Sequence, residues 1–244
     1  MPHRSMGILV LGLALVLGGC AAKTPYNPFK IPREQFHDQL KVVALSPIGM
    51  PRELTNLDPA KRKFLTLIET QLRGAGYTVV GADEAGIIWD SMATEISGFY
   101  DPVTGVRDEE KVKAVRMQMY QKLKAKFSID AMLFSHIAVV PAKLDNDRAK
   151  WDGASEGAAR KKFWKAVLGM SHSGTIPALS LHVTLSDTDD RDLYKNAGGI
   201  QVLAKAGVDG LQDVPRHQLF ADEERNIKAV HLALDPLLGR TTSD

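Results

Sequence analysis

The polar run Gly169-Met-Ser171-His172-Ser173 is where a nucleophile would first be sought. A serine on a strained strand-to-helix turn needs small glycines two residues to either side, so that its Oγ stands clear of the backbone. Here Ser173 fills the second position, the glycine follows only at Gly174, and no strand pattern leads in from Phe163 to Leu168. A polar loop is expected. Gly74-Ala-Gly76 has the spacing of part of a dinucleotide loop, but such a loop follows a strand and opens a helix. These glycines close a helical stripe and precede a strand pattern, which makes them a helix C-cap. The acidic run Asp187-Thr-Asp189-Asp-Arg191-Asp192 has the flavour of a calcium loop. Such loops require an oxygen ligand at the fifth position, glycine at the sixth and glutamate at the twelfth, where this chain has Arg191, Asp192 and Gly198. A solvated hairpin turn is expected.

The histidines beyond the N-terminal stretch, at positions 37, 136, 172, 182, 217 and 231, show neither HxH nor HExxH spacing. His136 and His182 fall on predicted strands and can meet in space. A metal-binding reading of that pair stands beside a structural one, in which each imidazole is satisfied within the fold, and the structural one is preferred. No catalytic residue, metal or cofactor is expected, and the chain reads as a non-enzyme.

The elements that must position these residues come from an ordinary globular composition: 244 residues, 31 Lys and Arg against 29 Asp and Glu, a net charge of +2, and 44% apolar residues. Disordered, collagenous and polytopic membrane classes are excluded. Nucleic-acid binding is not expected, because phosphate neutralisation needs a concentrated basic surface. A single cysteine, Cys20, permits neither an internal disulfide nor a multi-cysteine zinc site.

The N-terminus carries Arg4 and then an apolar run, Gly7 to Leu17, that would span only about 17 Å as a helix, well short of a hydrocarbon core of about 30 Å. This is the pattern of a secretory signal. Leu17-Gly18-Gly19-Cys20 resembles the lipobox of bacterial lipoproteins. The resemblance implies that residues 1–19 are a signal peptide, that Cys20 becomes the acylated first residue, carrying palmitate or similar chains, and that Ala21 at the sorting position directs the protein to the periplasmic side of the outer membrane. Residues 20–34, with Pro25, Pro28 and Pro32, read as a lipidated flexible tether, and 35–240 as one domain.

Within that domain Leu40 to Ser46 predicts a strand. Asp58-Pro59 predicts a helix cap, with Phe64, Leu65, Ile68 and Leu72 as the buried stripe, and Tyr77 to Val80 a second strand. A βαβ unit with a parallel strand pair follows. Asp83 and Asp108 predict the caps of two more helices, the first with Ile88, Met92 and Ile96 inward and stopping at Gly98, the second with Val112, Val115, Met119 and Leu123 inward. The lysines of the second are a solvated face, its membrane-surface reading weakened by Asp108, Glu109 and Glu110. Asp130 to Val140 predicts a central strand returning at Asp145-Asn-Asp147 through Lys150-Trp151, and Leu179 to Ser186 alternates with period two. Leu193-Tyr194 and Ile200 to Leu203 predict further short strands. A final helix from about Asp222, with Ile227, Val230 and Leu234 inward, ends at Pro236. The expected fold class is α/β (α+β): a single mixed sheet with helices packed on it, a strand-helix-strand start, later antiparallel hairpins and a C-terminal helix.

The succession Val42 to Pro47, Leu72 to Val80, Ile129 to Phe134 and a hairpin with an acidic turn resembles the small α/β domain of bacterial envelope lipoproteins, the group of CsgG, LpoB and the N-terminal domain of TolB. It implies a domain that docks on other envelope proteins or on itself, and transfers no individual functional residue. Arg160-Lys161-Lys162-Phe163-Trp164-Lys165 has two readings. Exposed, the aromatics beside cations suit a protein partner or a lipid headgroup boundary; as a strand or short helix, the segment buries both rings. The functional expectation is a lipid-anchored periplasmic binding or adaptor lipoprotein in assembly or regulation of envelope machinery, with other envelope proteins and the membrane as partners. The alternative is a self-assembling subunit of an envelope export complex, a homo-oligomer; a hydrolase ranks below both.

Overall fold

The computed structural model describes residues 26–33, 36, 39–54, 57–95, 99–145, 148–157, 174–207 and 210–240. Strand β1 (Val42–Leu45), helix α1 (Asp58–Gly74) and strand β2 (Thr78–Val80) form the opening βαβ unit, with β1 and β2 parallel. Two helices follow, α2 (Ala82–Glu95) and α3 (Glu109–Phe127). A long strand β3 (Ala131–Asp145) then turns into the hairpin β4 (Arg148–Trp151) and β5 (Ala154–Gly157). After them come β6 (Thr175–Asp187), β7 (Asp192–Val202), the small hairpin β8 (Ala204–Gly207) and β9 (Gly210–Asp213), and the C-terminal helix α4 (Glu223–Leu234). The main sheet is mixed. β3 runs parallel to β1, and antiparallel to β4 and β6, while β6 pairs antiparallel with β7. β6 occupies one edge of β3 along nearly its full length, so β1 and β4 share the other.

The strands form because apolar side chains alternate between two covers. Val43, Leu45, Leu133, Ile137, Leu179, Leu181, Val183 and Leu185 face α1 and α4, which contribute Phe64, Ile68, Leu72, Ala229, Val230 and Leu234. The opposite face offers Ala44, Val80 and Met132 to Met92 of α2 and to Val115, Met119, Tyr120 and Leu123 of α3. Further along that second face the helices end. There the β4–β5 hairpin curls over, burying Trp151, Ala142, Leu144, Ile176, Ala178 and Val202 in a core of their own. Burying so many Leu, Ile, Val and Phe side chains at about 25 cal/mol per Å² is the main term holding the layers together.

Several sequence expectations shift. Asp58 is not the cap of α1 but its first residue, paired with Lys61 at 3.0 Å, while Leu57 occupies the cap without a side-chain bond. Asp83 likewise lies inside the first turn of α2, whereas Asp108 and Asp222 do cap α3 and α4, accepting from the Lys111 and Arg225 amides. Ile227 is 37% exposed, and Asn226 takes the inward position with its amide donating to the Phe220 carbonyl. The two short strands expected around Gly198-Gly199 are one strand, β7. It passes straight through the glycines, because Gly198 lies against the α4 backbone and Gly199 against Trp151, where no side chain fits. Ile96 and Gly98, the last stripe residue and stop expected for α2, lie outside the described residues.

The described part of the proline-rich stretch lies against the body. Phe29 bridges antiparallel to Tyr194 of β7, with Lys30 N–H donating to the Leu193 carbonyl and Lys195 N–H to the Pro28 carbonyl, each at 2.9 Å. Phe29 also packs edge-on against Phe36 and Tyr194. No helix among the described residues is long and apolar enough to cross a membrane.

Candidate functional site

Antiparallel pairing sets His136 of β3 directly opposite His182 of β6, and the two rings stack at 5.1 Å with 24° between their planes. They sit on the second sheet face in the gap between the two covers, past the end of the α2–α3 layer and before the β4–β5 hairpin. The pair expected to meet in space does meet. Burial and the neighbouring His182 both lower the pKa of His136, burial first, so His136 stays neutral to lower pH than an ordinary imidazole. Beside it, Gly49 approaches so closely that a Cβ there would lie 3.0 Å from that of His136, and Met50, Pro51, Glu53 and Val139 complete a shallow depression.

The β4–β5 turn brings a carboxylate to the same strip. Asp152 Oδ2 accepts from Ser180 Oγ at 2.6 Å and lies 3.9 Å from His182 Nε2, beyond hydrogen-bond reach. Serine, aspartate and histidine therefore meet in the wrong order for nucleophilic catalysis. Asp152 stands between the other two, the His182 Nε2 atom is without a hydrogen bond, and Ser180 is fully buried. Among the described residues no three His, Cys, Asp or Glu side chains converge closely enough to hold a metal ion.

A second polar cluster lies along the β5 edge of the same hairpin. Glu156 of β5 is 9% exposed, and its carboxylate accepts from the Val202 amide at 3.0 Å and pairs with Arg225 of α4 at 2.6 Å and Lys205 at 3.3 Å. Around it opens a cleft of about 240 Å³ whose charged walls are Arg148, Arg225 and Lys228 against Glu156 alone. Arg148 donates from Nε and Nη2 to the Ser155 hydroxyl and carbonyl, at 2.7 and 2.8 Å, which leaves three of its five N–H donors for other partners. Neither Arg148 nor Lys228 has a carboxylate partner among the described residues.

The remaining motifs resolve locally. Gly76 takes φ +91° at the end of α1, and the Ala75, Gly76 and Tyr77 amides donate back into its last turn, as a C-cap should. In the acidic turn the Asp187 carboxylate accepts from the Asp189 and Arg191 amides and from the Arg191 side chain. Asp190 is turned inward at φ +63° to accept from Arg116 at 2.7 Å and the Tyr120 hydroxyl at 3.1 Å. Burial, then the Asp190 charge, pushes the Tyr120 phenol far above its usual value. Those carboxylates clasp α3 to the β6–β7 turn and hold no open ring of oxygens. His231 lies 3.6 Å from Asp235 on α4. Cys20, Ala21, Arg160, Lys161, Lys162, Phe163, Trp164, Ser171 and His172 all lie outside the described residues.

Sequence reasoning missed Asp152, Glu156 and the cationic cleft. The available signal was Asp152-Gly153 between Trp151 and Ala154. Asp-Gly favours a tight hairpin in which both central residues take positive φ, and they do, at 38° and 74°.

No protein-family model matches the chain, and no curated protein matches it. Among solved structures it is similar in part to the lipoprotein GNA1162 from Neisseria meningitidis, at 15% identity over 66% of this chain and 81% of that one, with a TM-score of 0.31. It also overlaps the PelC dodecamer from Paraburkholderia phytofirmans, at 11% identity over 82% of this chain and 89% of that one, TM-score 0.35. A variant PelC dodecamer from the same organism gives 10% identity, 83% and 91% coverage and TM-score 0.31.

Proposed function

We propose that this chain is a lipid-anchored binding or adaptor protein of the bacterial cell envelope, held at the periplasmic side of the outer membrane. The observation that carries the reading is the order of Arg4, the short apolar run Gly7 to Leu17 and Leu17-Gly-Gly-Cys20. The run is too short to remain as a membrane span, and the cysteine stands where an acyl chain is added. Several acyl chains on Cys20 anchor stably, since each buried methylene contributes about 0.8 kcal/mol and one chain alone is marginal. Confinement to a surface raises the effective concentration towards partners there. The Ser180, Asp152 and His182 arrangement supplies no nucleophile, which favours binding over hydrolysis.

Two measurements test this. Labelling with a radioactive fatty acid marks the wild-type chain and not the Cys20→Ala variant; an unlabelled wild type refutes anchoring. Photo-crosslinking from position 164 in intact cells then yields a discrete band with a different envelope protein, identified by mass spectrometry. A ladder of self-crosslinks refutes the adaptor in favour of a self-assembling export subunit.

A further inference from the structure

The N-terminal segment fixes which side of the domain lies nearest Cys20. Pro28 to Lys30 hydrogen-bond along the outer edge of β7, and Tyr26 Oη donates to the Lys195 carbonyl at 2.7 Å. Because the segment runs antiparallel to β7, following it backwards from Phe29 leads along that edge towards Gly199. Cys20 lies six residues before Tyr26, so it is at most about 20 Å away at full extension. From Lys195, which Tyr26 touches, Gly199 is four residues or about 13 Å further along the strand, within that reach.

At Gly199 the edge opens into the cleft between the β4–β5 hairpin and α4, with its charged walls Arg148, Arg225, Lys228 and Glu156. Glu156 is already committed to the Val202 amide, Lys205 and Arg225, and Arg225 also holds Asp222 at 2.9 Å. Two positive charges, Arg148 and Lys228, therefore remain without a carboxylate among the described residues. Both side chains belong to exposed residues. A guanidinium and an ammonium flanking a small polar cleft are the donors that recognise a phosphate.

We propose that this cleft receives the phosphate of a phospholipid headgroup in the leaflet that holds the acyl chains of Cys20, so that the β7 edge faces the bilayer. The inference rests on the anchoring reading above. Headgroup contact there restricts the swing of the domain about its short leash and presents the far edge of the sheet, at β2, to the periplasm.

The test uses the full mature, acylated chain in nanodiscs of phosphatidylcholine with phosphatidylglycerol. A photo-reactive residue is placed at position 227, beside Lys228, or at position 103, in the loop before α3 where Val103 is 91% exposed. Lipid crosslinks form from 227 and not from 103. The Arg148→Glu, Lys228→Glu double variant reduces those from 227 at least fivefold while remaining folded by circular dichroism, and Lys228→Gln alone, which breaks no hydrogen bond among the described residues, reduces them by a smaller factor. Equal lipid crosslinking from 227 and 103, or crosslinking from 227 that the variants leave intact, overturns the proposal. So does broadening of the phosphorus resonance of inorganic phosphate by the chain without any lipid crosslink, which would make the ligand the free ion. Mass spectrometry separates the two levels. An unacylated Cys20 refutes the anchor itself, whereas acylation without a crosslink from 227 refutes only the cleft.

Discussion

His136 and His182 place two ionisable rings face to face where one of them is already disfavoured as a cation. The folded-state pKa of His136 is lowered from 6.5, so the unfolded chain binds its proton more readily than the folded one. The stability associated with this residue is therefore complete above about pH 6.5 and is lost as pH falls below that value towards and through the lowered one. Thermal unfolding at pH 7.5 and pH 5.5 should show a larger drop for wild type than for His136→Gln; parallel drops would remove His136 from the account. Gly198 makes a second prediction. A Cβ there would run into the Ala229 carbonyl, which belongs to a helix backbone and cannot rotate aside. Gly198→Ala should cost about 3 kcal/mol, at the upper end for overpacking, measured by denaturant unfolding. At this scale the sequence was only partly legible. His136 and His182 were readable as a meeting pair because both sit on alternating strands. Asp152 was not, because its role comes from a turn that folds back across strands distant in sequence.

The elements divide in the same way. The helices α1, α3 and α4 were readable because each carries a stripe at helical spacing and stop or cap chemistry at an end, such as Asp108 and Asp222. The hairpin β4–β5 was half missed: with residues such as Ala149, Ala154 and Ser155 it has little apolar signal of its own, and its stability comes from Trp151 reaching across to donate to the Leu179 carbonyl. The hairpin is also held by Glu156. Glu156→Ala leaves the buried Val202 amide without its acceptor and Arg225 with Asp222 alone, and should destabilise by about 2 kcal/mol, the range for bonds to charged groups. The α3 clasp gives an independent test. Tyr120→Phe removes one bond to Asp190 while keeping the packing against Phe134, and should cost about 1 kcal/mol. Hydrogen exchange should show that loss as faster opening of α3 and the Asp187–Asp192 turn, with β6 and β7 unchanged; a uniform increase would mean that the clasp is not local.

For the whole molecule, the mixed sheet, the βαβ opening and the C-terminal helix followed from the order of apolar runs and breakers. The curl of the β4–β5 hairpin onto β7 did not, since a long-range crossing leaves no periodic trace in the chain. Nor did the docking of residues 26–30, which read as part of a flexible tether. That docking has a consequence for how the protein behaves when it is cut. β7 is the last strand on its side of the sheet, and Pro28 and Lys30 satisfy its outward Lys195 amide and Leu193 carbonyl where the rings of Tyr194 and Phe36 pack against Phe29. Proteolysis just after Lys30 would bare a ready template for another strand, and sedimentation should find such a fragment associating while the longer chain stays dispersed. Under the anchoring proposed above, shedding by a cut at that point would be coupled to loss of solubility: the stretch behind Cys20 doubles as the cover of an adhesive border.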